Sequence, residues 1–396
     1  MLLNLLHNAK KHNTVLHMLK ISLRHFSLDD YAGGVVLLLC AIVAMVLANS
    51  PFSAQYQQAV QHSLFVINEG LMAVFFLIVG LELSRGIFEK QFSTISQIAL
   101  PAFAALGGMF VPAIIYLAVT YNHPIAMKGW PTPVATDIAI AVSVYSLVGR
   151  KFPTTLKLFL LALAIFDDIG AILIVALFSV HGWSISGLIA SCLIIVALYV
   201  LHRKKVHYLS LYLILGLAFW WSLYHLGLHP TLAGVVLALF IPNHEDDQRS
   251  LNYQLEKILK PWVIFLVMPL FAFANAQFSL SFLSWDILKS EVVLGVVLGL
   301  FLGKQIGIFG FSWLIIRFHR SSIPKQVTLK MLYGVSILCG IGFTMSLFLG
   351  TLSFQNQDPV YLAQVRLGVL LGTLLSATIG AFVLFLISKL DSHKKY

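Results

Sequence analysis

Apolar residues in this chain gather in long blocks rather than in alternating or striped patterns. A block of about 20 residues is the length of a membrane-crossing helix. Twelve such blocks can be drawn, at 33–49, 64–83, 97–120, 130–149, 156–180, 184–201, 208–224, 231–241, 262–278, 292–316, 331–352 and 365–390. They predict an all-α membrane protein with twelve transmembrane helices. Several blocks exceed a straight span, which predicts tilts or breaks. The pattern divides the chain into an arm at 1–32, a single membrane domain at 33–390 and a tail at 391–396. The polar stretch from Asn243 to Lys260 carries Glu245, Asp246 and Asp247, read as solvated charges. The polar link at 50–62 leaves a short hairpin open.

Composition sharpens this picture. Of 396 residues, 59% are hydrophobic and 11% charged, against about 25% charged in average soluble domains. So few charges could not cover a water-facing surface, so lipid is the solvent for most of the chain. The net charge of +10 would fit a nucleic-acid partner if it were clustered, but it alternates with the blocks instead. One set of loops and ends holds Lys10, Lys11, Lys20, Arg24, Arg85, Lys90, Arg150, Lys151, Arg203, Lys204, Lys205, Arg249, Arg317, Arg320, Lys394 and Lys395, among others. The opposite set holds only Lys128 and Lys289. This is the asymmetry of the positive-inside rule, and it predicts cytoplasmic termini and an even number of spans. The lipid bilayer is therefore an expected partner, and nucleic acid is not. The arm is too long for an ordinary signal-peptide n-region, so the first block reads as a true span. Cys40, Cys192 and Cys339 lie inside apolar blocks without metal-ligand spacing and read as small buried hydrophobes.

Two blocks look interrupted. From Val134 to Gly149 a helix would reach only about 24 Å, and Pro131 and Pro133 precede it. The eleventh block centres on Cys339-Gly340-Ile341-Gly342-Phe343-Thr344. Gly340 and Gly342 weaken a helix there, or else they permit close helix packing. The fourth and eleventh blocks are the middles of two three-helix units, the third to fifth and tenth to twelfth. Those units enter the membrane from opposite sides, as in an inverted-topology repeat.

Charges at membrane depth are expensive and mark candidate sites. Asp137, Asp167, Asp168 and Lys304 are the clearest. Asp168 and Lys304 each lie about 18 Å from either end of their blocks, near the midplane. One lysine can neutralise one aspartate, so protons or cations must supply the remainder. Asp167 and Asp168 point about 100° apart on a helix and cannot serve identical roles. Adjacent carboxylates titrate as a coupled unit. A carboxylate that holds either a proton or a hard cation is the minimum equipment for exchange, with the Thr136 hydroxyl, freed carbonyls and water as further oxygens. If interrupted helices cross, Asp137 could offset two positive N-terminal ends and Lys304 two negative C-terminal ends.

At these residues the chain resembles the NhaA sodium–proton antiporters. The likeness is carried by Thr136-Asp137-Ile138-Ala139, Leu163-Ala164-Ile165-Phe166-Asp167-Asp168-Ile169-Gly170-Ala171, Gly303-Lys304 and Cys339 to Ser346. It is also carried by Asn68 to Phe76, Val79-Gly80-Leu81-Glu82, His229 to Gly234 and Pro269 to Ala276. NhaA proteins are inverted-repeat transporters with broken helices, so the resemblance implies that architecture as well. The resemblance implies a core bundle at about 97–180 and 292–390 and an interface bundle at about 33–96 and 181–291. It implies Asp168 as the principal ligand for Na+ and protons, Asp167 beside it, Lys304 close to the pair, and Asp137 and Thr136 at the helix crossing. Glu82, Arg85 and Glu256 resemble members of a cytoplasmic pH-responsive cluster, and His229 matches a family histidine. An ordinary interfacial ion-pair network is the competing reading of that cluster. The chain departs from the family at Tyr253, Gln254, Lys257 and Lys260 around Glu256, at Gln305 in place of proline, and at Glu69 in place of a shorter acid.

The expectation is an electrogenic antiporter of the bacterial inner membrane. It would export sodium or lithium against incoming protons, respond to pH, use no cofactor, catalyse no enzymatic reaction and form a homodimer. Two alternatives stay open: another proton-coupled carrier or channel, and an intramembrane aspartyl protease, whose Gly-x-Gly-Asp signature is absent.

Overall fold

The structure is a computed structural model that describes residues 32–88, 95–149, 152–178, 184–242, 250–318, 326–355 and 357–393. The arm with Lys10, Lys11, Lys20 and Arg24, the acidic Glu245, Asp246 and Asp247, and loop cations such as Arg150 and Lys151 lie outside these residues.

Among the described residues all regular structure is helical. In chain order, α1 is Ala32–Ala48. Next, α2 (Ser53–Phe65) runs through a π-helical turn, Val66–Leu71, into α3 (Met72–Phe88). The polar link after α1 is therefore helix rather than hairpin. Then follow α4 (Ile95–Thr120), α5 (Pro124–Met127), α6 (Ile138–Val148), α7 (Thr154–Phe178), α8 (Ile185–Arg203), α9 (Leu209–Leu226) and α10 (Leu232–Phe240). A second π-helical turn, Val263–Val267, joins α11 (Leu251–Trp262) to α12 (Met268–Asn275), and α13 (Trp285–Leu288) follows. The next helix starts as α14 (Glu291–Leu298) and ends as α15 (Gly310–Phe318), with two π-helical stretches between. The chain closes with α16 (Leu329–Leu338), α17 (Phe343–Ser353) and α18 (Pro359–His393).

Eight of the described helices are long and apolar enough to cross a membrane, or nine if α16 and α17, bent by 50° about a four-residue break, count as one. In a bilayer every backbone polar group needs a partner within the protein, and helices meet that need within one segment. The outer faces are apolar: Leu193 and Val196 on α8 and Leu217 on α9 are exposed, as a lipid-facing surface requires.

Two sets of helices pack among themselves. One contains α4, α6, α7, α14, α15, α16, α17 and α18; the other contains α3, α8, α9, α10, α11, the π-helical turn after α11, and α12. They meet where α3 and α10 touch α7 and where α12 touches α17. Within the first set the approach is close. A Cβ at Gly303 would stand 2.7 Å from the Pro112 Cα of α4, so only glycine allows α4 to press against the helix that carries Lys304.

Candidate functional site

The buried charges sit where two stretches of non-helical backbone cross. One runs from 131 to 137 ahead of α6; the other is 339–342 between α16 and α17. Asp137 donates its backbone N–H to the Ile341 carbonyl at 2.7 Å. The two stretches thus satisfy part of each other's backbone, which lipid could not do.

Asp137 is the N-cap of α6 and accepts the Ile140 N–H on Oδ1 at 3.2 Å. Its Oδ2 accepts the Thr344 N–H, in the first turn of α17, at 3.0 Å and also the Thr344 hydroxyl. One carboxylate therefore caps two helices whose N-termini converge. Each helix start carries about half a positive charge, so the two together offset roughly one carboxylate. Thr136 meets the opposite polarity: its hydroxyl donates at 2.9 Å to the Cys339 carbonyl, at the C-terminal end of α16.

Asp167 is locked. Lys304 Nζ lies 3.0 Å from its Oδ2 and 3.3 Å from its Oδ1, and the Thr136 N–H donates to Oδ2 at 2.8 Å. Lys304 also donates to the Val134 carbonyl. Both side chains are sealed, at 0% exposure for Lys304 and 1% for Asp167. Lys304 thus meets a turn carbonyl and a carboxylate, while the C-terminal end of α16 is met by Thr136.

Asp168, one residue on, is buried at 5% exposure. Among the described residues its carboxylate makes no hydrogen bond or ion pair, and the charges of Asp167, Glu82, Asp137 and Lys304 act on it. The electrostatic ledger of the crossing is then simple. Two helix N-termini offset Asp137 and Lys304 offsets Asp167, so Asp168 is left without a compensating charge.

Gly340 and Gly342 occupy the break. A Cβ at Gly340 would lie 2.3 Å from Ser376 Oγ and 2.4 Å from the Leu300 carbonyl oxygen, and one at Gly342 would lie 2.1 Å from Ser346 Oγ. Open helix and close packing, alternatives in the sequence, coincide in space.

The remaining candidates form two separate groups. Arg85 pairs with Glu256 at 2.7 Å, and Lys260 pairs with Glu82 at 3.0 Å. Glu82 and Arg85 stand near the end of α3, facing α11. His229 is elsewhere: its Nδ1 lies 3.0 Å from Glu69 Oε2, both residues are buried, and the His229 ring meets Phe348 of α17 edge-on at 6.5 Å. Glu69 precedes Glu82 by thirteen residues, about 20 Å along a helix. Sequence reasoning assigned no role to Thr344, Lys260 or Glu69 in these arrangements. Only the position of Thr344 just beyond the glycine pair hinted at its part.

Comparison with known proteins bears on what this crossing does. The family model described as "Na+/H+ antiporter 1" matches residues 24–384. The chain belongs to the Na+/H+ antiporter 1 family. Among curated relatives, the Na(+)/H(+) antiporter NhaA of Caulobacter vibrioides is 46% identical over 375 residues, covering 92% of this chain and 90% of that protein. The Na(+)/H(+) antiporter NhaA 2 of Pseudomonas syringae is 48% identical over 368 residues, covering 91% and 93%. The solved structure of the sodium proton antiporter MjNhaP1 from Methanocaldococcus jannaschii shares the fold, with a TM-score of 0.55 over 93% of this chain and 98% of that one, at 15% identity. This antiporter is thus a bacterial multi-pass membrane protein whose substrates are Na+ and H+.

Proposed function

We propose that this antiporter moves Na+ or Li+ out of the cell against incoming protons, by alternating access to one site centred on Asp168. The observation that carries the reading is the contrast between the two adjacent carboxylates. Asp167 is held by Lys304 and the Thr136 N–H, whereas Asp168 is buried and uncompensated among the described residues. A carboxylate so placed cannot stay charged and empty at low cost. It takes a proton or a small hard cation, and not both, which is the competition that antiport requires. Asp167 joins the site when Lys304 withdraws, and Thr136 lends a hydroxyl oxygen. Na+ is cargo here, bound by carboxylate, hydroxyl and carbonyl oxygens and by water.

In the cycle, protons arriving from outside load the Asp167–Asp168 pair and release the cation outward. Na+ from the cytoplasm then displaces them. Asp137 remains the fixed counter-charge of the two helix N-termini, and Gly340 and Gly342 keep the crossing open. If more protons than sodium ions move per turn, the exchange is electrogenic, and each net charge gains about 2.3 kcal/mol per 100 mV.

The short helices α1, α6 and α10 complete twelve spans in this reading. The segments around the crossing are then the interrupted fourth and eleventh helices of an inverted repeat. Residues 97–180 and 292–390 make the core bundle, and 33–96 and 181–291 the interface bundle. The protein is a homodimer in the inner membrane with both termini cytoplasmic, as the loop cations favour. The Glu82–Lys260 and Arg85–Glu256 pairs form the cytoplasmic pH-responsive cluster, and His229 with Glu69 responds to pH on the other side.

Vesicle antiport decides the matter. Na+ added to everted vesicles should dissipate a preset pH gradient with the native chain, and Asp168→Asn should lower the rate by at least about 100-fold at every pH while the protein still inserts. Exchange that survives Asp168→Asn would remove Asp168 from the site.

A further inference from the structure

Lys304 sits in unusual backbone. It is the single α-helical residue between the π-helical stretches Gly299–Gly303 and Gln305–Phe309. A π turn widens the helix and reaches back five residues for its hydrogen bonds. Two such turns side by side give the helix more than one way to set the azimuth of a residue between them. The direction of Lys304 therefore needs an anchor outside its own helix.

The neighbouring residue supplies one. Gln305 Oε1 accepts a hydrogen bond from the Tyr333 hydroxyl of α16 at 3.0 Å. The Tyr333 ring also meets Phe309 edge to face, with centroids 5.4 Å apart. Gln305 is 8% exposed, and its Nε2 donor is enclosed with no hydrogen-bond partner among the described residues. An enclosed, unsatisfied donor is a cost. An apolar side chain of the same length would avoid it, so packing alone does not account for the amide. What the amide does that an apolar residue cannot is accept the Tyr333 bond.

That bond closes a circuit. Tyr333 lies on α16, whose end at Cys339 accepts the Thr136 hydroxyl. The Thr136 N–H holds Asp167, and Asp167 holds Lys304, one residue before Gln305. Lys304 is thus fixed from both sides by one helix: through its own Gln305 to Tyr333, and through Asp167 and Thr136 to Cys339.

We propose that the Gln305–Tyr333 hydrogen bond is a positioning clamp that aims Lys304 at Asp167, and so sets how strongly the ammonium competes with Na+ for that carboxylate. Neither residue touches the ion, and both act through Lys304. The proposal rests on the reading of Asp167 and Asp168 as the exchange site. The groups that face Lys304 are Asp167 and Asp168 from α7, Cys339 from the break and the Val134 carbonyl from the turn before α6. From α4, a Cβ at Gly108 would come 3.8 Å from the lysine stem, and α18 packs on the π-helical stretch before Lys304, with Gly372 against Leu300; neither contact brings a titratable group. The Asp137 charge also acts on Asp168. The clamp therefore holds the residue next to Lys304 through a polar contact that is not itself part of the exchange site.

The test uses Gln305→Leu, Tyr333→Phe and the double variant in proteoliposomes. A loosened ammonium is a weaker competitor. Each single variant should therefore lower the apparent KM for Na+ at fixed pH by about two- to tenfold, the span of one net hydrogen bond. Each should also move the pH profile of activity, because the same carboxylate holds the competing proton. The double variant should do no more than either single, because both remove the same bond. Tyr333→Phe deletes only a hydroxyl and keeps the Phe309 contact, so it carries the test if Gln305→Leu fails to insert. A lower maximal rate with unchanged KM and pH profile, or additive effects in the double variant, would overturn the clamp. Asp168→Asn run in parallel separates the two ideas: if it still exchanges, the site reading falls, and if it is inactive while the clamp variants leave KM unmoved, only the clamp falls.

Discussion

Asp137 shows how one side chain can be read at the residue scale. A carboxylate enclosed in a membrane protein is costly, yet this one accepts N–H groups from α6 and α17 and the Thr344 hydroxyl. Losing one N-cap costs about 0.5–2 kcal/mol. Asp137→Ala removes two at once and leaves both helix starts facing each other, so it should destabilise the protein by about 2–4 kcal/mol. Thermal unfolding in detergent should show the drop, and Thr344→Val should show a smaller one. Asp167 and Asp168 differ for reasons their adjacency did not reveal. That they must differ follows from the 100° between successive helix positions. Which one meets Lys304 depends on where Thr136 and α14–α15 arrive, and those are distant in the chain. Glu69 likewise drew notice only as a departure from the family, because its partner His229 is 160 residues away.

At the scale of elements, the break between α16 and α17 was the better signalled of the two non-helical stretches. Gly340 and Gly342 announce weak helix locally, whereas the stretch before α6 is marked only by Pro131 and Pro133 and by the shortness of the block. The glycines also answer a packing demand that no local pattern expresses. Gly340→Ala would drive a methyl group into the Leu300 carbonyl and Ser376 Oγ, an overpacking cost of about 1–3 kcal/mol. Adding Ser376→Ala should not restore stability or transport, since the Leu300 backbone oxygen stays in place. Equal rescue by that second change would mean the side chain, not the backbone, sets the limit. The π-helical turns escaped sequence reading altogether, because apolar composition is the same in α and π windings. The two beside Lys304 pack against α4, and the second of them also against α16. The link at 50–62, left open in the sequence, is helical because it continues directly into α3 and packs Tyr56 and Val60 against Ala44, Ala48 and Ala274.

Among the described residues, the charged candidates of the sequence fall in three places: the crossing, the Glu82–Lys260 and Arg85–Glu256 cluster, and the Glu69–His229 pair. The cluster is partly wet, with Glu82 side-chain exposure at 30% and Arg85 at 25%. Partly exposed pairs are weakened by salt. Glu256→Gln should therefore shift the pH profile of antiport while leaving the maximal rate within about twofold, and the shift should shrink as ionic strength rises. Proteoliposomes assayed at two salt concentrations would check this. An equal shift at both would place the effect in packing instead. A potassium diffusion potential, negative on the cytoplasmic face, should speed sodium export if net positive charge enters with each turn. An unchanged rate would make the exchange electroneutral.

Hydropathy and the distribution of lysine and arginine were enough to establish a helical membrane protein and a candidate orientation, because the bilayer imposes those constraints on each segment separately. The charged residues at depth could be picked out one by one for the same reason: each is costly wherever it points. Their partnerships were a different matter. That two helix starts share Asp137, that Lys304 holds Asp167 and leaves Asp168 bare, and that Gln305 reaches Tyr333 all depend on where segments far apart in the chain cross. Hydrogen bonds hold over only a few ångströms and Coulomb energy weakens with distance, so only the folded arrangement could decide which neighbour each charge would have.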